Sequence, residues 1–103
     1  MTPRDGLRKP MTGRVIVSSG SRHWEGRVRD LTVPGCRVET AYPLEPGQIV
    51  QLRMHVDRHP SLRIDVGMVR WATPGEAGIE FIRMTEADQF RLQGYVQAVH
   101  DRV

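Results

Sequence analysis

Through most of this chain apolar and polar residues alternate with a period of two, and only after residue 84 does the spacing become helical. "GRVIVSS", residues 13–19, has the β-branched content of a strand, and "SSGSRH" supplies the turn after it. "WEGRVRDL" sets Trp24, Gly26 and Val28 on one face and Glu25, Arg27 and Arg29 on the other. "VPG" interrupts, and "CRVET" resumes with Cys36 and Val38 inward. Beyond the loop "YPLEPGQ", the run "IVQLRMHV" directs Val50, Leu52, Met54 and Val56 to the core before "DRHPS" turns the chain. In "LRIDVGMVRW" Leu62, Ile64, Val66 and Met68 share a face, whereas Val69 and Trp71 fall on the other. A bulge or strong coil is therefore expected near Met68. "TPGE" turns again, and "AGIEFI" alternates through Ala77, Ile79 and Phe81.

The last stretch follows a different rule. Thr85 is placed to cap a helix, with Glu86 and Asp88 in the first turn where the helix dipole favours acids. Leu92, Val96, Val99 and Val103 follow at helical spacing, with Phe90 and Tyr95 beside them. Six short strands and one helix predict an all-β, six-stranded antiparallel barrel over residues 13–103, with a helix from about 85 to 103 packed on it. Residues 1–12 carry Pro3, Gly6 and Pro10 and little apolar periodicity, and read as a flexible N-terminal arm.

A length of 103 residues fits one domain with a modest core. No apolar run approaches the roughly 20 residues of a membrane span, and "MTPRDGLRKP" lacks the apolar centre of a signal peptide. A cytoplasmic monomer is the expectation, and the lone Cys36 fits a reducing compartment. The basic residues are fourteen arginines and Lys9. A GC-rich genome would raise that total, so position is more informative. Residues 1–37 hold eight basic and three acidic side chains, and residues 38–103 seven and nine. An anionic partner is thus expected at the first third of the chain.

Candidate chemistry is sparse. No phosphate-binding glycine loop, nucleophile elbow or paired carboxylates stand out, so no enzyme is expected. His55 and His59 are four apart, but one lies on a strand and the other in a turn, with no third ligand nearby; they read as a surface coincidence, and no metal or cofactor is expected. Cys36 reads as a small core residue. The arm holds "RDGLR", with Arg4 and Arg8 four apart, which alone fits a solvated basic tail. About 22 residues later comes "DLTVPG". Its Asp30 carboxylate suits an N–H pair such as the guanine edge, Thr32 can donate and accept, and Gly35 allows positive φ or close approach. Alone, that piece also fits an Asx/ST-type turn between strands.

Together the two pieces resemble the PilZ domain family, whose signature is R-x-x-x-R in an N-terminal arm and [D/N]-x-[S/A]-x-x-G after the second strand. "GRVRDLTVPGCRVET" is similar to the family's central hairpin, "PLEPGQIVQLRMHV" to its middle strand and preceding loop, and "GMVRWATPGEAGIEF" to its late strand pair. The resemblance implies a receptor for cyclic di-GMP, a bacterial second messenger. Carried over, Arg4 and Arg8 would clamp guanine edges and phosphates, Asp30 and Thr32 would bond the guanine edge, and Gly35 would keep the turn open. Trp71 would flank the site, or else serve as a core aromatic. Thr32 departs from the family's serine, and its methyl and stiff χ1 imply weaker binding. Pro3 stands where many relatives carry a further arginine associated with a stacked nucleotide dimer, which points to one ligand. Pro34 lies inside the turn.

The implied mechanism is an order–disorder switch in which the arm folds over the barrel when ligand arrives. Charge-assisted bonds of about 1.5–3 kcal/mol each, set against roughly 1–2 kcal/mol per ordered residue, place affinity near the micromolar range. Output would pass to a protein partner, by family analogy a motility or exopolysaccharide component. Two alternatives stand beside this: a PilZ-like adaptor that binds no nucleotide, and a small barrel binding RNA or single-stranded DNA. The second needs stacking platforms, and six aromatics with none in "MHVDRHPSLRIDV" count against it.

Overall fold

Six antiparallel strands close on themselves in the order β1-β2-β3-β6-β5-β4, and a single helix follows them. The structure is a computed structural model that describes residues 9–55 and 60–101. The strands are β1 (Lys9–Ser19), β2 (Arg22–Leu31), β3 (Gly35–Glu39), β4 (Ile49–His55), β5 (Leu62–Thr73) and β6 (Glu76–Arg83), and the helix is α1 (Glu86–Asp101). Closure removes the exposed edges an open sheet of this size would carry. β1 begins at Lys9, four positions before the alternating pattern becomes visible, with its backbone paired at Lys9 to Leu31 and at Pro10 to Asp30.

Period-two alternation fills the barrel as the sequence predicts along β3 and β4, where Cys36, Val38, Val50, Leu52 and Met54 are buried, and Val15 and Val17 of β1 join them. Val56 lies outside the described residues. α1 lays Leu92, Tyr95 and Val96 on the core and leaves Phe90 78% exposed, so the apolar face is narrower than the spacing implies. Val103 is outside the described residues. Thr85 caps the helix by accepting the Asp88 N–H at 3.1 Å. The buried Asp88 carboxylate accepts the Thr85 hydroxyl (2.8 Å) and the backbone N–H of Arg63 (3.1 Å), which ties the first helical turn to β5. Farther along, the Tyr95 hydroxyl donates to the Pro60 carbonyl at 2.8 Å.

Where strict alternation fails, a register shift explains it. Between Val50/Leu52 of β4 and Gly67/Ile64 of β5, two β5 residues oppose one of β4. Ile64 and Gly67 therefore both face in, and with the β5–β6 shifts at Val66/Gly67 and Val69/Trp71 the irregularities bracket Met68, where a bulge was expected. Val66 and Met68, expected in the core, are only half-buried. Val69 points inward at 0% exposure while Trp71, expected on the same face, stands outside at 41%. No helix among the described residues is long and apolar enough to cross a membrane.

Candidate functional site

Two register shifts build the site. In β2, Arg29 is an extra residue between the pairs Val28↔Val38 and Asp30↔Arg37. In β5, Arg70 is an extra residue between Val69↔Ile79 and Trp71↔Gly78. Each bulge flips the phase of its strand. Leu31 takes the core position at 0% exposure, and Asp30 is released to the outside. Trp71 is released likewise. The inner pair β3–β6 runs between them without a shift and sets Arg37 opposite Gly78. The outcome is one cross-strand row, Asp30–Arg37–Gly78–Trp71, on four neighbouring strands. At about 4.8 Å per strand it is roughly 14 Å wide.

At one end of the row the chain turns from β2 into β3. The Thr32 hydroxyl donates to the Gly35 carbonyl (3.0 Å) and accepts the Gly35 N–H (3.2 Å), while the Thr32 N–H donates to the same carbonyl at 2.8 Å. Thr32 thus locks its own turn, the ST-type arrangement foreseen for the motif taken alone. One lone pair remains to accept a ligand N–H. Pro34 accepts the Phe81 N–H at 2.8 Å, which fastens the turn to β6. Gly35 is needed for proximity, not for a left-handed backbone: a Cβ there would lie 2.3 Å from the Ile79 carbonyl oxygen, and the positive φ values belong to Gly20, Gly47 and Gly75.

Among the described residues, the charges of the row are matched by neighbouring side chains. Arg37 pairs with Asp30 at 3.0 Å and with Glu76 at 3.3 Å, and its buried Nε finds no hydrogen-bond partner among the described residues. Arg70 pairs with Glu80 alongside. Asp30 is 17% exposed, low for a carboxylate on a barrel surface. At the far end the Trp71 indole lies flat over Gly78, where a Cβ would come within 2.1 Å of Nε1. These groups line one open groove of about 460 Å³, together with Thr32, Pro34, Gly35 and Ile79. That volume is in the range of small-molecule sites. Its two acids and two arginines leave it with no net charge.

Of the six site residues read from the sequence, Asp30, Thr32, Gly35 and Trp71 line this groove. Arg4 and Arg8 lie outside the described residues. Sequence reasoning missed Arg37 and Gly78. The first is an outward position of a strand assigned correctly, and the second a glycine inside a strand, which commonly marks a close approach. Cys36 is buried as expected, and burial pushes its thiol pKa well above the ordinary value. His55 ends β4, and His59 is outside the described residues.

Among the solved structures that share this fold are the following three. The PilZ domain of CeSA from a cellulose-synthesizing bacterium superposes with a TM-score of 0.71 at 23% identity, over 89% of this chain and 96% of that one. YcgR from Escherichia coli, solved in complex with c-di-GMP, gives a TM-score of 0.77 at 12% identity over 92% of this chain, which spans 45% of the YcgR chain. The Legionella protein Lpg0364, described as uncharacterized, gives 0.62 at 14% identity, covering 92% and 95%. Comparison with curated protein sequences returns no match. The family model for the PilZ domain matches residues 2–98, nearly the whole chain. With the barrel order and the Asp30–Gly35 corner in place, this chain belongs to the PilZ domain family, a family of cyclic di-GMP receptor domains.

Proposed function

We propose that this protein is a cyclic di-GMP receptor that binds one ligand in the Asp30–Trp71 groove, closes its N-terminal arm over it, and signals to a protein partner. The observation that carries the reading is the cross-strand row itself, because it offers a guanine base complementary chemistry along its length. Asp30 accepts the N1–H and 2-amino pair, the spare lone pair of Thr32 receives a further N–H, and the Trp71 ring flanks the purine face. Arg37 meets the base's acceptor edge or a phosphate, and its unpaired Nε–H gains an acceptor.

The neutrality of the groove gives the arm its role. A ligand with two phosphates needs cations that the barrel face has already committed to carboxylates. Arg4 and Arg8 supply them. Lys9 pairs with Leu31, next to Asp30, so the chain carrying both arginines leaves from the lip of the groove. Five residues span up to about 17 Å, enough for Arg4 to cross the row. The YcgR complex with c-di-GMP supports the ligand class.

Calorimetric titration with cyclic di-GMP tests the reading. The expected result is a one-to-one isotherm near micromolar affinity, weakened at least tenfold by Arg4→Ala, Arg8→Ala or Asp30→Ala. A flat trace at tens of micromolar ligand would favour the nucleotide-independent adaptor instead.

A further inference from the structure

The opposite seam of the barrel, where β4 closes against β1, is built in a different way. Arg53 of β4 lies directly opposite Arg63 of β5. Arg14 of β1 lies directly opposite Arg27 of β2 on one side and His55 of β4 on the other. Directly opposed outward residues have Cβ atoms roughly 5 Å apart, and like charges so placed destabilise a sheet. All four arginines are exposed, and none of their guanidinium groups meets a carboxylate among the described residues. Several other arginines are paired with acids: Arg29 with Glu39, Arg37 with Asp30 and Glu76, Arg70 with Glu80, and, at the margin of this face, Arg91 with Asp88.

Two open depressions of about 380 and 360 Å³ adjoin here and share Arg53, His55, Arg63 and Asp65. They form one trough, extended by Gln51 and Ser18. We infer that this β1–β4–β5 face docks a carboxylate-rich segment of a partner protein. The cations match acidic side chains, and Ser18 and Gln51 offer donors and acceptors to a peptide backbone. A nucleic acid fits less well. No Phe, Tyr or Trp lines either depression, so bases find nothing to stack on. The trough shares no residue with the Asp30–Trp71 groove, and the inference holds whether or not that groove binds a nucleotide.

The test uses the whole protein and a fluorescein-labelled, glutamate-rich 20-residue peptide, read by anisotropy at about 150 mM salt, where screening removes interactions beyond roughly 8 Å. Saturable binding is expected, at least tenfold weaker for Arg53→Glu and for Arg53→Gln. Arg53→Glu should also raise Tm by about 2–8 °C, because it turns a repelling pair into an attracting one. Cyclic di-GMP titration of that variant should match the parent, which separates failure here from failure of the receptor reading. A wild-type protein that leaves the peptide unbound overturns the inference. So does a variant that binds it equally well, or a preference for a single-stranded oligothymidine of equal charge, which would make the face a nucleic-acid surface.

Discussion

Replacing Gly78 by alanine would set a methyl 2.1 Å from Trp71 Nε1 and 2.5 Å from Cε2, so the indole must leave its seat. Nothing else in the groove is altered, which makes the substitution a way to move Trp71 without deleting it. A Trp71 that is 41% exposed covers about 59% of roughly 250 Å², near 150 Å². At about 25 cal/mol per Å² the ceiling on lost burial is ~4 kcal/mol. The ring needs to shift by little more than an ångström, so about 1–2 kcal/mol and a Tm lower by roughly 4–15 °C are expected. Base–aromatic stacking is worth about 1–3 kcal/mol, so cyclic di-GMP affinity should fall about 5- to 150-fold. Two tryptophans are present, and a Trp24→Phe background leaves Trp71 as the sole indole reporter. Its emission should shift red in Gly78→Ala, and ligand should no longer quench it. Unchanged emission together with unchanged affinity would refute the placement of Trp71 in the site.

Gly35→Ala would push a Cβ to 2.3 Å from the Ile79 carbonyl oxygen, a backbone atom that cannot swing aside; it should destabilise by about 1–3 kcal/mol, measured as a lower thermal midpoint. Asp88→Ala orphans the Arg63 N–H and the Thr85 hydroxyl, and urea denaturation should report a loss of about 1–3 kcal/mol. Burial raises the pKa of both the Cys36 thiol and the Tyr95 phenol above their ordinary values of 9.0 and 10.0. The folded state therefore holds these protons more tightly than the unfolded state does. The stability this provides is present well below the unfolded values of 9.0 and 10.0 and is lost progressively as pH rises past them toward the raised folded values, a slope that Cys36→Ala/Tyr95→Phe should flatten.

Legibility in the sequence followed the physics of each element. Strand positions and the capped helix could be read because alternation and capping are local properties, visible within a few residues. The bulges were harder, although each leaves a trace. Val28 and Leu31 are three apart and both fully buried, which period-two geometry forbids without an extra residue between them. Ile64 and Gly67 repeat the signature. Recognising the first would have placed Asp30 outside from the sequence alone. Charge is where linear reading failed most. Residues 38–103 carry a net negative count, yet Arg53 and Arg63 from that stretch join Arg14 in a cationic face. Strand register assembles that face, and register is a pairing between strands distant in sequence that no local window reports.

The two bulges also explain why the site has the form it does. A barrel with unbroken alternation would bury Asp30 opposite Cys36, at a desolvation cost no local partner offsets. Arg29 and Arg70 flank the unshifted β3–β6 pair from either side, and each turns the next residue outward into the same row. The exposed carboxylate then finds Arg37, so the row is stable without any ligand. Under the receptor reading, binding is consequently an exchange of partners and not the filling of an empty slot. The base draws Asp30 away from Arg37 wholly or in part, and that trade of one charged hydrogen bond for another is close to even. The net driving force must come from charges the barrel does not already hold, which is the role the receptor reading gives Arg4 and Arg8, since the chain joins β1 at Lys9, opposite Leu31.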